Sequence, residues 1–247
     1  MGQPSIKEIE AQLADWDFLT QLPQQVGSFR LEAGTGIKGQ ILNIAAYVDQ
    51  EHHRRLDLTY TGETFDYVPV KTIGLHSFRD ERYFSRDREY FAKLVLEGLE
   101  RMLADIDSEQ PQKMPFEAKA LGFENWDYWR QLPKRIDEYE LYITPDKPVA
   151  YINGSYIFLD YSDFTNGNQL FFFYNVFRNE IFAEKKVGYL PLTTSDFDVK
   201  DLQLPKKGAK KLPVAPAYKK KDQDKLAYLA QLLEENLVRT LESISKG

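Results

Sequence analysis

The chain repeats itself. Trp16-Asp17-Phe18-Leu19-Thr20-Gln21-Leu22-Pro23 returns, with substitutions, as Trp126-Asp127-Tyr128-Trp129-Arg130-Gln131-Leu132-Pro133. The match runs on through Phe29 and Leu31, which meet Tyr139 and Leu141, to Asn43, which meets Asn153. Lys71-Thr72-Ile73-Gly74 reappears as Lys185-Lys186-Val187-Gly188, and Leu99, Arg101, Leu103 and Ile106 meet Leu237, Arg239, Leu241 and Ile244. Three ordered matches on apolar and turn positions imply two fused units, and a self-match of this kind decides how the rest is read. The first repeat takes residues 1–110. The second takes 111–247 and carries a Lys/Pro-rich insertion at about 189–221.

Within each unit the pattern runs helix, strands, helix. Ser5 with Glu8 three residues on is a capping box, and Ile6, Ile9, Leu13 and Trp16 follow at helical spacing. Pro23 ends that helix, and Trp126, Trp129 and Pro133 predict the same in the second unit. Residues rich in β-branched and aromatic types predict strands over 41–49, 55–60 and 65–75, then over 139–144, 151–161, 169–177 and 181–190. Asn166-Gly167 is the strongest hairpin signal. Gly34-Thr35-Gly36-Ile37-Lys38-Gly39 reads as a flexible hairpin connection, since it lacks the ending of a phosphate-binding loop. Phe91, Val95, Leu99, Met102 and Ile106 form one long helical stripe, and Leu229, Leu233, Leu237, Leu241 and Ile244 form the other. The expected fold class is α+β, a tandem duplication of a helix–four-stranded antiparallel sheet–helix unit with pseudo-twofold symmetry.

Composition excludes several chemistries. With no cysteine there is no disulfide, thiolate or Cys-based metal site, which fits a reducing compartment. The densest apolar run, Leu170 to Tyr174, is far shorter than the ~20 residues of a membrane span. The start lacks a signal-peptide pattern, so a soluble cytoplasmic protein is expected. His52 and His53 are adjacent and read as a solvated turn, because neighbours on a strand point to opposite faces. Asp160 with Asp163, in calcium-loop-like company, reads as a polar hairpin turn without the calcium spacing. The echoed Asp17 and Asp127 are expected to cap or orient the Gln-Leu-Pro turn. No Gly-x-Ser-x-Gly elbow, metal-ligand spacing or cofactor motif is present.

The segment from Pro205 to Lys221 holds seven lysines and no acid, in a chain of net charge −6. Its prolines and glycine predict an extended arm. Lys206, Lys207, Lys210 and Lys211 are its candidate binding residues, for an acidic partner or another protein, with nucleic acid less favoured because Tyr218 alone could stack on bases. Aromatic residues on both faces of the strand from Phe171 to Tyr174 predict either a core or a recognition surface. The functional expectation is a non-catalytic binding or interaction protein. The alternative is a hydrolase- or transferase-like enzyme with its site in a cleft between the repeats.

Overall fold

A computed structural model describes residues 5–107, 121–122, 125–151, 154–199 and 214–246, with 214–224 described by their backbone alone. The chain divides into two compact units, Met1–Gln110 and Pro111–Gly247.

In the first unit, α1 (Ile6–Gln12) opens on the capping box: the Glu8 amide donates to Ser5 Oγ and the Ser5 amide to Glu8 Oε2 at 2.6 Å. The helix expected to run on to Pro23 breaks instead. A 3-10 turn at Leu13–Asp15 leads into an extended Trp16, and α2 (Phe18–Gln21) is a single turn. Burial explains the break. Trp16 and Phe18 are both in the core, with ring centroids 4.7 Å apart. Residues two apart on a continuous helix would not face one another.

Six strands follow as an antiparallel meander in chain order: β1 (Gln25–Val26), β2 (Phe29–Lys38), β3 (Ile41–Asp49), β4 (Arg54–Thr61), β5 (Asp66–Ile73) and β6 (His76–Arg79). Most of the expected glycine-rich connection, Gly34 to Lys38, lies within β2, and the turn is Gly39-Gln40 alone. The glycines serve a bulge: the β2–β3 register shifts between Ala33 and Gly36. A Cβ on Gly34 would stand 2.2 Å from the Asn43 carbonyl oxygen. Glycine inside a strand pattern often marks such a close approach. The strand expected over 65–75 ends sooner, at Ile73; Gly74-Leu75 turns, with Gly74 at φ +62, and β6 follows as a further strand beyond the expected range. Helix α3 (Arg88–Ala104), N-capped by Asp87, lies on the face carrying Tyr60 and Tyr67; Phe91 stacks on Tyr67 at 5.4 Å.

The second unit has seven strands: β7 (Arg135–Ile136), β8 (Tyr139–Ile143), β9 (Val149–Ala150), β10 (Ser155–Asp163), β11 (Asn168–Asn175), β12 (Glu180–Val187) and β13 (Leu190–Val199). Their order is β13-β12-β11-β10-β8-β7, with β9 beside β10. The helix expected before Pro133 is only a 3-10 turn, Asp127–Gln131. The Asn166-Gly167 hairpin forms, but as a four-residue turn closed by the Asp163 carboxylate, which accepts from the Thr165 and Asn166 amides at 3.0 Å. Helix α4 (Val214–Ser245) packs its leucine stripe on Phe158, Tyr161, Phe172 and Phe197.

The helix–four-strand–helix duplication is therefore overturned. The protein is mostly β, built on antiparallel sheets of six and seven strands with four α-helices among the described residues. Glycine bulges, two-residue turns and short edge strands, each too brief to show a period, account for the miscount. The extended arm expected from Pro205 to Lys221 is corrected over its described part, 214–221, which is helical. Residues 190–199 form β13, and α4 already begins at Val214, with Pro216 in the first turn, where no amide needs an intrahelical acceptor. What recurs in both units is local. Tyr47 donates its hydroxyl to the Pro23 carbonyl at 2.8 Å, and Tyr161 does so to Pro133 at 2.7 Å. The Leu31 amide reaches Gln24 O and the Leu141 amide Lys134 O, both at 2.9 Å. Among the described residues no helix is long and apolar enough to cross a membrane.

Candidate functional site

Lys206, Lys207, Lys210 and Lys211 lie outside the described residues, as does Asn153. The remaining candidates can be placed. His52 is held by Asp49, ring Nδ1 to Oδ2 at 2.8 Å, and Ser28 donates to the same carboxylate at 2.7 Å. These groups secure the β3–β4 turn, in which His53 has φ +50. Asp160 and Asp163 serve different partners. Asp163 closes the turn described above, whereas Asp160 is fully buried and accepts from Ser162 Oγ at 3.0 Å and Gln169 Nε2 at 2.8 Å. Among the described residues no group of three or more His, Asp or Glu could hold a metal ion.

Near this buried trio, burial pushes the Lys186 ammonium below its ordinary range, against the pull of Asp160 and Glu184. Burial likewise raises the Glu184 carboxyl. Lys186 stands over the Phe171 ring at 5.1 Å. Phe171 and Phe173, on the face opposite α4, are 2% and 4% exposed, so these rings are core and not an open recognition surface.

Asp17 departs from its expected part. Its carboxylate makes no capping bond; the main-chain carbonyl of Asp17 receives the Thr20 amide and hydroxyl instead. Asp17 is exposed, on the wall of an open groove of about 560 Å³ between the Trp16 corner and α3. Trp16, Phe18, Ala92 and Leu96 line it with apolar atoms, and charged residues flank them. Arg88 lies over the Trp16 ring at 5.4 Å and pairs with Glu89 at 2.8 Å. Asp15 and Asp17 have no ion pair among the described residues. The buried Trp16 indole N–H has no acceptor there either.

On the same side of the sheet as α3, the echoed Lys71 is 2% exposed and bridges Asp80 at 2.7 Å and Asp105 at 2.9 Å. Arg82 grips Asp80 through two 2.8 Å bonds and also bonds Asp105. Burial alone would raise both carboxyls, but the hydrogen bonds from Arg82 and Lys71 outweigh it and hold them below the ordinary 3.8. This network ties β5, the turn after β6 and the C-terminus of α3 together. Its counterpart Lys185 is half-buried.

A smaller cavity of about 360 Å³ opens on the other face of that sheet, beside Thr61, Asp66, Arg79 and Phe84. Neither cavity was visible in the sequence, because each collects residues from separate elements.

No protein-family model matches the chain, and no curated protein or solved structure matches it.

Proposed function

We propose that this chain is a non-catalytic binding protein that engages another protein through the groove between the Trp16 corner and α3. The observation that supports the reading is the construction of that groove. An aromatic and aliphatic floor is rimmed by mixed charges, and two carboxylates, Asp15 and Asp17, remain without ion-pair partners among the described residues. Apolar anchors inside a polar rim are the usual anatomy of a recognition surface. The segment bearing Lys206, Lys207, Lys210 and Lys211 is proposed as a second contact, for acidic surface on the partner. Lysines held near anionic groups give binding that weakens steeply with salt.

The test uses the full chain as bait in its native lysate. Asp17→Lys reverses an exposed charge and Ala92→Trp fills the groove; both should remove the same recovered protein. Changing the four lysines to Gln should flatten the salt dependence of that capture. Turnover in a broad substrate screen, or recovery indifferent to all of these variants, overturns the reading.

A further inference from the structure

The smaller cavity is assembled by the register of the sheet. On the β4–β5 ladder Thr61 lies opposite Asp66 and Thr59 opposite Val68, while Tyr60 lies opposite Tyr67. Side chains alternate along a strand, so Thr61, Asp66 and Val68 share the face turned away from α3. Arg79 of β6 pairs with Val70 and joins them. Beyond β6 the chain bows away from the β5 edge and returns. The Asp80 amide donates to Pro69 O at 2.9 Å, and the Ser85 amide and carbonyl both bond Tyr67. The bow carries Glu81 and Phe84 to the rim.

The polar groups in this cavity are poorly occupied. The side chains of Arg79 and Glu81, of opposite charge, make no ion pair or hydrogen bond among the described residues, not even with each other. Asp66 receives Arg86 Nε at 3.1 Å on one oxygen only. The Thr61 hydroxyl, on a residue 2% exposed, has no partner there. A buried hydroxyl ordinarily has one. Val68 and Phe84 supply apolar wall, and Phe84 is 44% exposed.

We propose that this cavity binds a small ampholyte with an apolar body, the chemistry of a free α-amino acid bearing a hydrophobic side chain. Arg79 receives the carboxylate, for which a guanidinium fork is the matching donor. Glu81 and the open oxygen of Asp66 receive the ammonium. Thr61 Oγ donates to the carboxylate, and the side chain lies against Phe84 and Val68. The site is independent of the groove and stands whether or not that groove binds protein.

Calorimetric titration of the full chain with L-phenylalanine tests it, with phenethylamine lacking the carboxylate and 3-phenylpropionate lacking the ammonium as comparators. Phenylalanine should bind saturably, and each comparator about tenfold or more weaker, the scale of one lost charged hydrogen bond. Arg79→Gln should reduce phenylalanine to the level of phenethylamine and leave phenethylamine itself unchanged. Glu81→Gln should do the same with respect to 3-phenylpropionate. Both positions are exposed, and unchanged melting of the variants shows that folding is intact. Thr61→Val should weaken phenylalanine without lowering the melting temperature. No saturable binding, comparators that bind as well as phenylalanine, or variants that weaken all three ligands equally would overturn the proposal.

Discussion

Lys71→Met should cost the first unit about 2–3 kcal/mol. Methionine keeps most of the apolar stem and volume, so the change isolates the charge. Removing one member of a buried ion pair ordinarily costs about 3–5 kcal/mol, because the partner is left charged without compensation. Two features reduce that here. Asp80 keeps its two 2.8 Å bonds from Arg82, and Asp105, whose side chain is 36% exposed, can turn toward water. With a urea dependence of about 2 kcal/mol per molar, the unfolding midpoint of this unit should fall by about 1 M. Trp16 is the only tryptophan of residues 1–110, and its buried ring reports the transition by fluorescence. The double variant Lys71→Met/Asp80→Leu removes both charges of the closest pair, and it should recover part of the loss. A single-variant cost below about 0.5 kcal/mol would place the network among solvent-screened surface pairs. A double variant less stable than the sum of both single changes would refute the charge argument itself.

Other consequences follow from the same contacts. The Asp80 and Asp105 carboxyls are held below 3.8, so their contribution is complete above that value and is lost as pH falls through their lower folded values. Acid titration of stability should show a shallower loss below about pH 4 in Asp80→Asn than in the parent. Gly34→Ala places a Cβ against the Asn43 and Ile44 carbonyl oxygens, at 2.2 and 2.4 Å, and should cost about 2 kcal/mol or more, read as a lowered melting temperature. Tyr161→Phe removes the bond to Pro133 O and should cost about 1 kcal/mol in the second unit; Tyr47→Phe should do likewise in the first. Burial raises the Tyr47 hydroxyl to about 12, so ultraviolet titration should find it ionising after the exposed tyrosines.

Elements whose residues interact with near neighbours in sequence were legible. The Ser5–Glu8 box, the stripe from Phe91 to Ile106 and the stripe from Leu229 to Ile244 follow from a period of 3.6 residues, and every stripe residue is buried. The turn reading of His52 and His53 has the same origin, since Asp49 lies within three residues. Long-range pairing was not legible. β2 was hidden because its glycines mark a bulge that exists only against Asn43 and Ile44 of the next strand. The break at Trp16 answers to Tyr67, some fifty positions on. In the sequence Lys71 is only an echoed residue; its role depends on Asp105, the C-cap of α3, 34 residues away. Both cavities share this dependence, since Arg88 comes over Trp16, and Thr61 and Arg79 come to line one cavity, only once the chain has folded. Sequence by itself therefore determined the helical stripes, the Ser5–Glu8 cap and the His52–His53 turn, whose free energies are decided within a few residues. Tertiary structure alone decided the strand count, the burial of Lys71 and Asp160, and which unpaired charges share a cavity, because those depend on contacts between residues far apart in the chain.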